Sequence, residues 1–118
     1  MNTKIIQLKI KDIISRKTAV SSDDGDIVYN RIVECINDNS VAELDFSEIS
    51  ILTTAFLNSA IGQLYNKFSS EQLNKTISLK NVADEDKILF KKVIERAKEY
   101  FRDKKGFEDS ANSAIYGK

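Results

Sequence analysis

The chain has 118 residues, of which 42% are hydrophobic and 31% are charged, and its 18 basic and 18 acidic residues leave no formal net charge. These values predict one globular domain and argue against nucleic-acid binding driven by bulk charge. The sequence has no histidine and one cysteine, which removes Ser-His and Cys-His nucleophiles, most zinc sites and any internal disulfide bond.

The sequence also shows no pattern typical of a signal peptide, a membrane span or a metal-binding loop. The first residues alternate with lysine instead of forming an apolar signal core, and no apolar run reaches the roughly 20 residues of a membrane span. With Cys35 as the lone cysteine, a cytoplasmic location is predicted, with no membrane association. Asp23, Asp24 and Asp26 surround Gly25, but their spacing does not match a calcium-binding loop. We therefore predict no metal and no cofactor.

The N-terminal part of the chain begins with a strand. Apolar and polar residues alternate over residues 4–10, which predicts a half-buried strand. Residues 12–22 are compatible with a second short strand or with a packed loop. The turn-forming run at 21–25 is rich in acids that favour a helix N-terminus, and it precedes a predicted helix from about residue 26 to 37.

The central part of the chain combines a strand with a helix. Residues 41–46 form an apolar strand pattern, a short Ile- and Ser-rich segment follows at 49–52, and the two threonines Thr53 and Thr54 precede a helix. A threonine at a helix start caps a free backbone N–H, and such a junction is also suited to recognition or phosphate chemistry. The apolar face of this helix comprises Phe56, Leu57, Ala60, Ile61, Leu64, Tyr65 and Phe68.

The C-terminal part predicts one more strand and one more helix. Residues 69–75 are polar and indicate a loop or a frayed helix end, and residues 76–79 indicate a short strand. The last helix is predicted to start within 81–86, with acids in its first turn, and to end at Gly106. Residues 107–118 are predicted to be a partly ordered tail.

The order of these elements predicts the fold class. Strands and helices alternate after residue 25, which favours right-handed crossovers and a sheet that is parallel there, while the N-terminal segments are free to be antiparallel. We predict a single α/β domain over residues 1–106. Its expected architecture is a mixed sheet of four or five strands, with helices mainly on one face.

Three short motifs resemble a known family. They are Leu44-Asp45-Phe46, then Ala55-Phe56-Leu57-Asn58, then Ala60-Ile61-Gly62-Gln63-Leu64, with the acidic run at 21–25 ahead of the first long helix. Together they are similar to the STAS-like domain family of unknown function found in bacteria and phages, and the similarity covers about residues 5–101. That family is related in fold to the anti-sigma factor antagonists.

The resemblance implies a fold and a kind of partner. Anti-sigma factor antagonists bind a serine kinase of the histidine-kinase-like ATPase class, and phosphorylation of a serine at the start of the helix after the central strand switches that binding. In this sequence Ala55 occupies the position of that serine, and Thr53 and Thr54 lie just before it. Where family members often carry an acidic residue after Phe-Leu, this chain has Asn58 and Ser59.

We therefore predict a non-enzymatic regulatory module that binds a protein partner, and the resemblance implies that this partner is an ATPase of the histidine-kinase-like class. The expected interaction surface contains Thr53 and Thr54, which are also the possible phospho-acceptors, together with Asn58 and Gly62. Gly62 lies inside a helix at a cost of about 1 kcal/mol relative to alanine, so a close approach by a neighbouring element or by a partner is expected there.

Two other functional classes remain open from the sequence. One is a small nucleotide-binding or nucleotide-hydrolysing enzyme that uses Asp24, Asp45 or Thr54. The other is a nucleic-acid-binding accessory protein whose contacts come from a local basic patch. The oligomeric state is not determined by any sequence pattern.

Overall fold

The computed structural model describes the backbone of residues 3–116 and the side chains of residues 3–101. Within this range the helices are α1 to α6 and the strands are β1 to β5. A π-helical turn, Asn58–Gly62, joins α3 to α4, so that residues 54–67 form one helical segment, called the central helix below. The elements in chain order are β1 (Ile5–Lys9), α1 (Ile10–Ile14), β2 (Thr18–Ala19), α2 (Ser22–Asn37), β3 (Val41–Asp45), β4 (Ile51–Leu52), α3 (Thr54–Leu57), α4 (Leu64–Lys67), α5 (Ser70–Thr76), β5 (Ile77–Lys80) and α6 (Asp84–Tyr116).

The strands form two separate parallel sheets. The larger sheet has the order β1-β3-β5, and the smaller one pairs β2 with β4. The prediction of one mixed sheet with four or five strands is therefore wrong, although the mixed α/β class is correct. The N-terminal strand is parallel to β3 because the helices between them return the chain to the same end of the sheet. The segment at 49–52 leaves the larger sheet after a turn in which Glu48 has a positive φ of 62°, and it pairs with β2 instead.

Side-chain alternation gives the sheet one covered face and one open face. Ala42 and Leu44 of β3 are fully buried, as is Leu8 of β1, whereas the alternating Gln7 and Ser78 are exposed. Strand residues alternate between faces, so the helices cover the face that carries Leu8 and Leu44. This agrees with the predicted placement of helices mainly on one face.

Local capping explains where the helices begin. The hydroxyl of Ser21 accepts a hydrogen bond from the Asp24 amide at 3.1 Å, so α2 starts at Ser22, four residues earlier than predicted. The hydroxyl of Ser69 accepts from the Gln72 amide at 3.1 Å, and the polar stretch after it is the helix α5. The sequence pattern underestimates both helices because their polar first turns lack an apolar stripe.

The segment at 12–22 contains the short strand β2, which was one of the two predicted alternatives. The helix α1 before it was not predicted; it ends at Ile14 and is followed by Ser15 in a left-handed conformation (φ 59°). The sequence predicts an end of the last helix at Gly106, but α6 continues to Tyr116. A glycine costs a helix only about 1 kcal/mol, so it does not by itself end one. The predicted domain limit at residue 106 stays a prediction.

The core joins the sheet to three helices. Phe56 and Leu57 of the central helix are fully buried, and Phe46 meets Phe90 of α6 edge to face, with ring centroids 5.0 Å apart. Ion pairs also tie the ends of the sheet to the following turn, because Glu48 accepts from Lys9 at 3.3 Å and from Lys11 at 3.2 Å. These contacts join α6 to the end of β3, and β1 and α1 to the turn after β3.

In the part of the chain that the structure describes, no helix combines the length and the apolar character needed to cross a bilayer.

Candidate functional site

The Thr53 side chain forms hydrogen bonds both with the central helix and with the residue that follows β2. Its Oγ1 accepts a hydrogen bond from the Phe56 amide at 3.2 Å, which caps the central helix, and donates to the carbonyl oxygen of Val20 at 2.7 Å. Its backbone is extended, with φ −120° and ψ 161°, as expected for a capping residue. Thr53 is therefore a structural link between the small sheet and the central helix, as the capping interpretation predicted.

Removing this link has a predictable cost. We expect Thr53→Ala to lower the free energy of unfolding by about 0.5–2 kcal/mol, because both hydrogen bonds are lost. Thr53→Ser keeps the hydroxyl and should lose less. Thr54→Ala is the matched control, since Thr54 is exposed, and its change should stay within about 0.5 kcal/mol. Urea unfolding followed by circular dichroism measures all three. Equal losses for the Thr53→Ala and Thr54→Ala variants would contradict the assignment of the cap.

Thr54 and Asn58 are the exposed polar side chains at the start of the central helix. They lie one helical turn apart, and Ala55 between them is also exposed. Among the described residues, neither Thr54 nor Asn58 forms a side-chain hydrogen bond with another protein group.

Two exposed apolar side chains stand next to these polar groups. Ile51 of β4 is 53% exposed, and Val20, which follows β2, is 42% exposed. The small sheet is extended by the hydrogen bond from the Thr53 amide to the Ala19 carbonyl, which places Val20 beside Thr53. We call Val20, Ile51, Thr53, Thr54 and Asn58 together the junction surface. Sequence reasoning missed its apolar members because Ile51 belongs to a strand of only two residues and Val20 directly follows another, so neither forms part of a periodic pattern.

Gly62 lies on the inner side of the central helix. It is buried, and a Cβ built on it would lie 3.5 Å from Asn58 Oδ1 of the same helix, 3.8 Å from Val93 Cγ1 and 3.9 Å from Ala97 Cβ of α6. These are ordinary contact distances, so the neighbour that approaches Gly62 is α6 of the same chain. The structure thus brings Thr53, Thr54 and Asn58 together at the surface and places Gly62 in the helix–helix contact.

The π-helical turn begins at the exposed Asn58 and ends at the buried Gly62. The Gln63 amide donates to the Asn58 carbonyl at 3.0 Å, a bond that spans five residues instead of four. Such turns insert one residue into a helix and rotate the residues after it, and they are frequent at functional sites. The Gln63 side chain donates to Asp26 at 2.8 Å and to the Ser59 carbonyl at 2.7 Å, which ties the turn to α2.

The helix α2 approaches the central helix closely at Gly25. A Cβ there would lie 2.5 Å from the Phe56 carbonyl oxygen and 2.6 Å from Ser59 Cβ, both on the central helix. Only glycine allows α2 to come this near. In the sequence, a glycine within an acidic run is typical of a turn. That Gly25 lies at a helix crossing can be seen only in the folded structure, where α2 and the central helix are in contact.

The carboxylates named for the enzyme alternative already have protein partners. Asp24 is buried and its Oδ2 lies 3.2 Å from Arg16 Nε. Asp45 Oδ1 accepts from the Asn81 side chain and from the Ser47 amide, each at 2.9 Å. The Asn81 hydrogen bond is the main reason that the pKa of Asp45 lies below its usual range, and the Ser47 bonds and Lys80 lower it further. Both carboxylates therefore form structural contacts: Asp24 pairs with Arg16 and Asp45 bonds to Asn81.

The lowered pKa of Asp45 predicts a pH dependence. A carboxylate whose pKa is lower in the folded state stabilises the fold above its unfolded pKa, and this contribution is lost as the pH falls through the folded value. We therefore expect the difference in stability between the wild type and Asp45→Asn to be largest at neutral pH and to shrink in acid. Thermal unfolding across the acidic range measures it. Parallel stability curves for the two proteins would contradict the role of Asp45.

Cys35 lies on the buried side of α2 and faces the sheet. Burial raises the pKa of its thiol above the ordinary value, an effect that Arg31 partly offsets. A raised pKa reduces the fraction of the reactive thiolate, as expected for a packing residue. Within residues 3–101, no group of three or more cysteine, aspartate and glutamate side chains is arranged to hold a metal ion.

The fold and the site together define a small α/β module that has a parallel sheet covered on one face and a capped helix start exposed at one end. The family described as the STAS-like domain of unknown function (DUF4325) matches residues 24–87, which is more than half of the chain. The chain belongs to this family, as its motifs predicted. The matched range runs from α2 to the first turn of α6 and contains the whole central helix. Comparison with curated proteins and with solved structures gave no match.

Proposed function

We propose that this STAS-like domain is a regulatory protein-interaction module whose contact face is the junction surface. The observation that carries the proposal is the grouping of Thr54 and Asn58, both exposed, with the exposed apolar side chains of Val20 and Ile51. A centre of apolar contacts beside available polar groups is the composition of a protein–protein contact. A non-enzymatic role fits this arrangement, because the five residues of the contact face offer binding groups and no activated nucleophile.

The partner that we propose is an ATPase of the histidine-kinase-like class. Support for this identity comes from the similarity of the chain to the anti-sigma factor antagonists, in which such a partner binds the same end of the helix. The proposed switch is phosphorylation of Thr54, whose hydroxyl is exposed. Thr53 is the less suitable acceptor because its hydroxyl donates to Val20. A phosphate at the first residue of a helix is stabilised by the helix dipole and the free amides.

The test uses the full chain and purified ATPases of this class from the source genome. Binding is measured by biolayer interferometry with the wild type, with Asn58→Arg and with Thr54→Glu. We expect the arginine to weaken binding at least about tenfold by steric and charge mismatch, and the glutamate to imitate the phosphorylated state and also weaken it. Asn30→Arg on the exposed side of α2 is the matched control and should bind normally. Melting temperatures should be unchanged in all four proteins.

Two results would overturn the proposal. If an ATPase binds the chain and its affinity ignores both Asn58→Arg and Thr54→Glu, the contact face lies elsewhere. If the purified chain hydrolyses nucleoside triphosphates, and Asp45→Asn or Thr54→Ala abolishes the turnover while the fold is kept, the protein is an enzyme.

A further inference from the structure

A second surface, at the β5 edge of the larger sheet, has the features of a peptide-binding edge. The strand β5 is the last in the order β1-β3-β5, so one of its sides pairs with β3 and the other is open within the described residues. The Lys80 carbonyl accepts from the Phe46 amide on the β3 side. Successive residues of a strand direct their N–H and C=O groups to opposite sides, so those of Leu79 are directed to the open side.

An apolar groove lies directly beside this open edge. It has a volume of about 140 Å³ and is lined mainly by Ile61, Tyr65, Leu73, Ile77, Leu79 and Ile94. Leu79 is 41% exposed, which is unusual for a leucine on the covered face of a sheet. An added strand would place every second side chain over this groove.

The α6 face beside the groove carries a net positive charge. Lys91 and Lys98 of α6 lie one turn before and one turn after Ile94, on the same helix face, and both are exposed. Within residues 3–101 neither forms an ion pair. Glu95 lies four residues after Lys91 and three before Lys98, so this helix face carries two lysines and one acid.

The other face of the strand edge is basic as well. Lys80 points to the open face of the sheet, where its side chain is 48% exposed, and its ion pair with Glu43 is long at 3.9 Å. An added strand would therefore meet lysines on both of its faces.

We propose that the β5 edge binds an extended, acidic segment of a partner protein by strand addition. Main-chain hydrogen bonds to Leu79 supply the backbone contact, small apolar side chains of the segment fill the groove, and its acidic side chains meet Lys80, Lys91 and Lys98. The positive charge on both faces of the edge favours an acidic segment. A second copy of this chain is disfavoured, because its own β5 would bring its Lys80 toward the lysines of the first copy. This surface is separate from the junction surface, and neither proposal depends on the other.

The experiment uses the full chain and a short fluorescein-labelled peptide with the repeat Val-Glu-Glu-Glu, and the readout is fluorescence anisotropy at low ionic strength. As a strand, this peptide alternates valine and glutamate on the groove side and presents glutamate on the other side. The peptide should bind, and the same peptide with lysine in place of glutamate should not. The double variant Lys91→Glu, Lys98→Glu should weaken binding at least about tenfold. Lys92→Glu, on the opposite face of α6, is the matched control and should bind as the wild type does.

A proline distinguishes strand addition from simple charge attraction. Leu79→Pro removes a backbone donor from the open edge without taking one from the β3 pairing, so it should abolish binding while the melting temperature stays near that of the wild type. If this variant unfolds, a peptide with N-methylated alternate residues tests the same hydrogen bonds and should fail to bind. Val20→Lys, on the junction surface, should leave peptide binding unchanged.

Three results would overturn the proposal. One is failure of the acidic peptide to bind. Another is an equal effect of Lys92→Glu and of the Lys91, Lys98 double variant. The third is a dimer in sedimentation experiments that Leu79→Pro dissociates, since the edge would then belong to a second copy of the chain.

Discussion

Replacement of Phe56 by alanine is expected to lower the free energy of unfolding by about 3–5 kcal/mol. Phe56 is completely buried and is the largest side chain in the core with no exposure. Its removal loses apolar burial and leaves a cavity in the core that the surrounding helices fill only in part. Small domains have total stabilities of about 5–15 kcal/mol, so this variant should be close to unfolding at physiological temperature.

The position of Phe56 also links the core to the junction surface. Its amide donates to Thr53, and its carbonyl oxygen would lie 2.5 Å from a Cβ built on Gly25. Chemical denaturation of the Phe56→Ala and Phe56→Leu variants measures the effect, and leucine should retain more stability than alanine. Ile88→Ala is the control, because Ile88 is 65% exposed and its change should stay within about 0.5 kcal/mol. A loss for Phe56→Ala as small as that of Ile88→Ala would show that the central helix does not pack as described.

Two glycine-to-alanine changes should have opposite outcomes. Gly25→Ala is expected to destabilise the domain by about 1–3 kcal/mol, because the new methyl group would overlap the Phe56 carbonyl oxygen at 2.5 Å. That oxygen belongs to the backbone of the central helix, so relieving the overlap requires the two helices to separate. Gly62→Ala should be neutral or stabilising by up to about 1 kcal/mol, because alanine favours the helix and its Cβ would meet nothing nearer than Asn58 Oδ1 at 3.5 Å.

Thermal unfolding of the two variants side by side is the measurement. The pair is internally controlled, since both changes add one methyl group to a buried helical glycine. A loss of stability at Gly62 with none at Gly25 would reverse the assignment of the close helix contact. It would also return Gly62 to consideration as a residue whose small size serves a function.

Local patterns in the sequence identified most elements of the fold. The alternation in β1, the apolar run in β3 and the helical stripe from Phe56 to Tyr65 each reflect the burial of one face of one element, and such burial leaves a periodic pattern in the residues themselves. The motif around Phe56 and Leu57 also identified the family. The threonine cap at Thr53 was predicted because capping depends on a few neighbouring residues.

Tertiary contacts decided what these patterns could not. The pairing of β2 with β4 as a separate sheet joins residues more than thirty positions apart, and neither two-residue strand is long enough to show a period. The inward position of Gly62 and the tight contact at Gly25 depend on where α6 and the central helix cross their neighbours, and the open edge of β5 depends on the order of the strands. Sequence alone thus determined most of the elements, the cap and the family, but neither α1 nor the extent of α5. Only the assembled structure decided which of the residues named from the sequence are exposed to a partner, because exposure is set by the elements that pack alongside and not by the residues next in the chain.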